Sequence, residues 1–279
     1  MATLTVAQTA DERPRAQRID RRPRVTRIGV VTTVRQSLIM ALRGLLTFKR
    51  SPQLLYDAAL LPIVGPVLFG NIFGTAIAGS VHAYLPTLIP GVLVQIVLTA
   101  SVATGVQLCE DIRSGVQDRF ASMPMARLAP IIGALTAGVT RYAIAATTVV
   151  IVGFAMGYRP AHPWGLIGSA LLVVGVTAAL SWIFAAVGVT MSKPTAVQGI
   201  SALILMLFTF ASNALVPTAA MPNWLRHVSD VNPVSHLVSA VRTLADDGRF
   251  GSDAVWSVVG ALVVLLVFAP VTMRALRPR

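Results

Sequence analysis

Few residues in this chain are of types and spacings that could do chemistry. A phosphate-cradling loop needs lysine after glycine and before Ser or Thr. The only two lysines are Lys49, preceded by Phe48, and Lys193, preceded by Ser192. No His-Glu-x-x-His run exists, and the nearest approach to a nucleophile elbow, Gly199-Ile-Ser-Ala-Leu203, lacks its closing glycine. Histidines His82, His162, His227 and His236 are scattered without a ligand-like spacing, so no metal site is expected. Cys109 is the only cysteine, which excludes an intrachain disulfide. The spacing therefore predicts no autonomous ATPase, protease or redox enzyme, and no cofactor bound by this chain.

Two charges stand out because of where they lie. Arg141 sits in the middle of a long apolar run, where an arginine costs roughly 2.5–3.5 kcal/mol if it faces lipid. It is expected to face protein or water, either as a structural residue bonded to a carbonyl or as a contact for an anionic substrate group. Asp57, near the start of another apolar run, is its candidate partner on a possible substrate path. No pair of intramembrane carboxylates offers a proton relay.

The elements that carry these residues are apolar stretches at about 54–74, 87–108, 131–157, 165–190, 197–216 and 254–273. Each has the roughly 20 residues a helix needs to cross a ~30 Å hydrocarbon core. The chain is 55% hydrophobic and 12% charged, and four of the six stretches hold no Asp, Glu, Lys or Arg. The expectation is an all-α membrane protein with six transmembrane helices.

The formal charge of +12 could suggest nucleic acid, but its distribution points to membrane orientation. With the N-terminus inside, the cytoplasm receives Arg13, Arg15, Arg18, Arg21, Arg22, Arg24, Arg27, Arg35, Arg43, Lys49 and Arg50. It also receives Arg113, Arg119, Arg127, Lys193, Arg274, Arg277 and Arg279, leaving only Arg159, Arg226, Arg242 and Arg249 outside. Both termini are thus expected in the cytoplasm. No apolar run and cleavage site follow the first arginines, so residues 1–27 read as a disordered basic tail, able to attract anionic lipid.

Residues 28–50 predict an interfacial amphipathic helix, with Val31, Val34, Leu38, Ala41, Leu42 and Leu45 on one side and Gln36, Arg43, Thr47 and Arg50 on the other. Ile39 and Leu46 stray from the pattern, and Pro52 ends the segment. After the second span, Ile112, Val116 and Phe120 recur every four residues among charges of both signs, until Pro124. That spacing fits either a short docking helix at about 110–123 or a solvated connector. In the 217–253 segment, Asn232-Pro233 is a favoured helix start, Val234, Leu237, Val238, Val241 and Leu244 form a stripe, and Gly248 can close it. With a shorter face at Trp224, Leu225 and Val228, this predicts a re-entrant or interfacial helix pair before the last span.

The string Arg119-Phe-Ala-Ser-Met-Pro-Met125, continued by Ala126-Arg-Leu-Ala-Pro130, resembles the cytoplasmic loop of ABC-2 type export permeases, in particular the daunorubicin/doxorubicin-resistance group. Asn232-Pro-Val-Ser-His-Leu-Val-Ser-Ala-Val-Arg-Thr-Leu244 is similar to the family's segment before the last span. The resemblance runs from about residue 28 to the end. It implies a six-span permease domain over 51–279 in a bacterial plasma membrane, without its own motor. A cytoplasmic ATP-binding cassette ATPase, which binds ATP and Mg²⁺, would dock on the coupling helix through Glu110, Asp111, Arg113, Val116, Arg119, Phe120 and Met123. A second permease subunit would complete a path for drugs, lipids or other amphiphilic molecules. The rival readings are an ion-gradient-driven secondary transporter, which should carry more charge at membrane depth, and a membrane anchor or intramembrane enzyme.

Overall fold

The computed structural model describes residues 52–115, 129–214 and 221–275. The tail at 1–27, the amphipathic helix at 28–50, and Val116, Arg119, Phe120 and Met123 lie outside the described residues, as does the side chain of Asp57. Among the described residues there are eight helices and no strand: α1 Pro52–Ala78, α2 Val81–Arg113, α3 Ala129–Ala155, α4 Pro163–Thr190, α5 Pro194–Phe210, α6 Asn223–Val231, α7 Pro233–Asp247 and α8 Ser252–Ala275.

Local chemistry sets several of these boundaries. Ser80 caps α2 through a 3.2 Å hydrogen bond from the Ala83 amide. Proline occupies the first turn of α4, α5 and α7, where its missing N–H would be unpaired in any case. Gly248 ends α7 with φ 66°, the left-handed conformation that glycine adopts without a Cβ penalty. Two helices, α6 and α7, precede α8, with Asn232 and Gly248 in the predicted capping roles for α7.

Helix α2 is the centre of the bundle and packs on α1, α3, α4, α5 and α7. Its 33 residues make a rod of about 50 Å, longer than a ~30 Å hydrocarbon core. The core runs along it through Leu85, Ile89, Leu93 and Val97, closed by Tyr142 and Val149 of α3, Val173 and Leu180 of α4, and Leu237 and Val241 of α7. The outward faces of α1, α5 and α8 remain apolar and exposed, as at Leu68, Leu207 and Leu266. Such faces suit hydrocarbon rather than water.

Among the described residues, four helical segments are long and apolar enough to cross a membrane: Val81–Arg113, Gly133–Ala155, Pro163–Thr190 and Ser252–Ala275. The apolar segments Pro62–Ala76 and Pro194–Phe210 are shorter. The stretch predicted to be helical to residue 216 instead leaves the helix after Phe210 and turns through 211–214. The cause is distant in sequence: Asn232 donates from Nδ2 to the carbonyls of Phe208 at 2.9 Å and Ala211 at 3.0 Å. These are carbonyls that a helix end leaves without an intrahelical partner.

Candidate functional site

The end of α2 that carries Glu110, Asp111 and Arg113 is held by unusually close backbone packing. A Cβ on Gly105 would overlap the Phe184 carbonyl oxygen on α4, and a Cβ on Gly188 would overlap the Gly105 carbonyl oxygen. Small residues flank both glycines at helical spacing, Ser101 and Cys109 on α2 and Ser181 and Ala185 on α4, all of them buried. Stripes of small residues let helix backbones approach in membranes, where dispersion contacts take over from the hydrophobic effect. One turn further on, the Cys109 thiol donates to the Met191 carbonyl at 3.3 Å. Leu108 of α2, Leu135 of α3 and Ala185 of α4 then form a separate buried cluster against which Ile112 and Trp182 pack.

The last turn of α2 projects from this clamp. Glu110 and Arg113 are exposed and Asp111 is half-buried. Ser114 follows as the cap, its amide donating to the Glu110 carbonyl at 2.9 Å, and Gly115 takes φ 67°. Helix α2 ends at Arg113, because Arg-Ser-Gly forms a C-terminal cap with a left-handed glycine, and the rest of the helix expected at about 110–123 lies outside the described residues. Arg113 suits the negative end of the helix dipole, whereas the exposed Glu110 opposes it at a cost of about 0.3–1 kcal/mol.

At mid-height, the Tyr142 hydroxyl of α3 and the Thr104 hydroxyl of α2 lie 2.7 Å apart in a buried hydrogen bond. A side chain on Gly138 would strike both hydroxyls. Arg141 precedes this tyrosine and is half-buried on α3, which packs on α1, the helix that holds Asp57.

The opposite end of the bundle is organised by two side chains of the α6–α7 segment. Asn232 accepts from the Val234 amide at 2.9 Å while its Nδ2 bonds the end of α5, so one residue starts α7 and stops α5. Arg242 reaches from α7 with Nη2 to the carbonyls of Thr87 at 3.2 Å and Asn213 at 3.0 Å. Asn213 also donates to Ser239 at 2.8 Å, and Ala214 packs directly on Gly91 of α2. The start of α4 is tied in as well, for the His162 amide donates to the Ala245 carbonyl and Gly165 packs on the Leu244 carbonyl.

Two of the histidines bond locally. His236 lies 2.8 Å from Asp253 of α8 and 2.9 Å from the Asp230 carbonyl, joining α7 to α8, and His227 bonds the Asn223 carbonyl. Nearby, Tyr158 has its phenol pushed up to about 12, first by burial and then by the negative charge of Asp246.

Arg141 and Asn232 stood out in the sequence by type and position, whereas Glu110, Asp111 and Arg113 came from the resemblance to ABC-2 type permeases. The sequence did not single out Gly105, Gly188 or Arg242. The available signal for the glycines was the spacing of Ser101, Gly105 and Cys109, each four residues from the next. Arg242 sits beside the apolar stripe of α7, a position compatible with either solvent or burial.

Residues 35–245 match the ABC-2 type transporter family. The chain is 38% identical over 251 residues to the daunorubicin resistance ABC transporter permease protein DrrB1 of Streptomyces coeruleorubidus, an alignment covering 88% of this chain and 87% of that one. It is 27% identical over 250 residues to the doxorubicin resistance ABC transporter permease protein DrrB of Mycobacterium tuberculosis, covering 82% and 86% respectively. A family match across most of the helical bundle, with a relative aligned over nearly its whole length, places the chain in the ABC-2 type transporter family.

Proposed function

We propose that this chain is the membrane permease subunit of an ATP-binding cassette exporter that moves drugs, lipids or other amphiphilic molecules out of a bacterial cell. It crosses the plasma membrane six times with both termini in the cytoplasm. The shorter segments in α1 and α5 complete the count, and the α6–α7 pair sits in the outer leaflet. A separate cytoplasmic ATPase binds ATP and Mg²⁺ and docks on Glu110, Asp111, Arg113, Val116, Arg119, Phe120 and Met123. A second permease subunit, identical or paralogous, lines the path with it, and Asp57 and Arg141 lie along that path.

The observation that carries this reading is the clamp between Gly105 and Gly188 next to the exposed end of α2. Packed backbones switch between discrete arrangements rather than deform continuously. A push on Glu110–Arg113 would therefore move α2 and α4 as one body, and would carry the Thr104–Tyr142 contact to α3 with it. Nearly uniform apolar spans, the missing P-loop and the concentration of arginines on one side support the same reading. So do the relatives, which are named as permease proteins of drug-resistance transporters.

Reconstitution in sealed vesicles tests it. With the co-purified ATPase, ATP should drive movement of an amphiphilic dye such as doxorubicin, and the purified permease alone should hydrolyse no ATP. Transport driven by an ion gradient without ATP would replace this reading with a secondary transporter.

A further inference from the structure

A groove of about 250 Å³ runs between α3 and α4, lined by Ala143, Ala146 and Thr147 on one side and Ile167, Ala170 and Leu171 on the other. Small residues on both helices leave it unfilled, and Ile167 and Leu171 stand on its exposed rim. Its only hydroxyl of this set, on Thr147, already donates to the Ala143 carbonyl at 2.8 Å. The groove thus offers an occupant dispersion contacts but no spare donor, which suits a hydrocarbon chain rather than a polar solute.

Its upper end differs in chemistry. One turn beyond Val150 on the same face of α3 is Phe154, and the Arg159 guanidinium lies 5.9 Å from that ring's centre. Arg159 is exposed, and Nη1 donates to the carbonyls of Phe154 and Tyr158, both at 3.1 Å. Among the described residues those are its only hydrogen bonds, so the rest of a five-donor fork is available to an oxygen anion. Across the groove, one turn before Ile167, Trp164 is 83% exposed, in the position an indole takes at a membrane boundary.

We propose that this groove is a binding site for one phospholipid, with an acyl chain between Ala143 and Ala170 and its phosphate on Arg159. An apolar groove with an oriented cation held against Phe154, one helical turn beyond its lining residue Val150, is complementary to both halves of that molecule. The site requires only that α3 and α4 stand in a bilayer and is independent of the direction or energy source of transport.

Native mass spectrometry of the full chain in dodecyl maltoside, titrated with phosphatidylglycerol or with diacylglycerol of the same chains, is the test. Phosphatidylglycerol should bind and raise the melting temperature, and diacylglycerol should bind at least fivefold more weakly. Arg159→Gln should weaken phosphatidylglycerol by about fivefold, since one basic residue near a lipid surface contributes about 1 kcal/mol, whereas the exposed Arg249→Gln should not. Ala143→Phe, or Ala143→Leu if that variant does not fold, should displace the lipid by filling the groove. Equal binding of diacylglycerol, equal effects of the two arginine variants, or full retention with the groove filled would each overturn the proposal.

Discussion

A Cβ on Gly188 of α4 would occupy the space of the Gly105 carbonyl oxygen on α2, so these two helices cross with backbone against backbone. The crossing lies about one turn from the exposed acidic end of α2, which makes it the rigid joint of the proposed coupling device. Neither atom is the movable tip of a side chain, so the joint has little room to give.

Alanine is then the smallest sufficient perturbation. Gly105→Ala and Gly188→Ala should each lose about 1–3 kcal/mol of stability, the usual cost of overpacking, and should depress export. Gly175 and Gly199 provide the contrast, because nothing lies within 4 Å of the Cβ each would gain. Alanine there should be neutral or stabilising by up to ~1 kcal/mol, as helix propensity favours it. Thermal unfolding in detergent distinguishes the pairs, and uniform tolerance would remove the joint.

The two functions of Asn232 can be separated by one atom. Asn232→Asp keeps the oxygen that accepts from Val234 but loses the Nδ2 donor to Phe208 and Ala211. The aspartate variant should therefore be less stable than wild type although it is an equally good N-cap. Asn232→Ala loses both functions, with about 1 kcal/mol assigned to the cap alone. Equal melting temperatures for wild type and Asn232→Asp would show that the end of α5 does not depend on this residue.

Arg242 holds the 213–214 turn against Thr87 with a charged donor. Arg242→Met should lose about 1.5–3 kcal/mol, the range for hydrogen bonds to charged groups. Arg242→Lys should recover part of that loss, because an ammonium also donates but lacks the planar fork. Chemical denaturation of the three proteins gives the order; a methionine variant as stable as wild type would contradict it.

The hydroxyl pair Thr104–Tyr142 calls for a double-mutant cycle. Tyr142→Phe and Thr104→Val should each destabilise, and the double variant should cost less than their sum. The coupling expected for a buried pair in a membrane bundle is about 0.6 kcal/mol, with a ceiling near 1.7. Strict additivity would mean that the 2.7 Å contact contributes nothing.

Tyr158 links stability to alkaline pH. Its folded value of about 12 lies above the ordinary 10.0, so the unfolded chain gives up this proton first. Its contribution is complete below pH 10.0 and is lost as pH rises towards about 12. Tyr158→Phe should flatten the stability profile across that interval, and it should cost little at neutral pH, since the buried hydroxyl makes no hydrogen bond among the described residues. An unchanged alkaline slope would refute the assignment.

The sequence was most legible where one residue type has one use. Asn232, Pro233 and Gly248 each permit a narrow set of backbone positions, and together they marked α7 at both ends before any coordinates. Long apolar runs likewise announced the bundle. Composition was silent where a boundary depends on a distant group: the apolar run reaches past Phe210, and the bonds from Asn232 and Arg242 to the Ala211 and Asn213 carbonyls accompany the turn at 211–214. Gly105 and Gly188 are similarly mute until the partner helix is known. The break at Gly115 was readable in Arg-Ser-Gly, but the four-residue spacing of Ile112, Val116 and Phe120 suggested continuity instead.

In the proposed exporter, force enters this chain at the last turn of α2. The most direct measurement compares wild type with a Glu110→Lys, Asp111→Lys, Arg113→Glu triple variant, scoring co-purification of the ATPase and ATP-driven export in vesicles. The expected result is loss of both, with the melting temperature of the isolated permease kept within a few degrees of wild type. Undiminished ATPase binding and export by the charge-reversed protein would contradict the account.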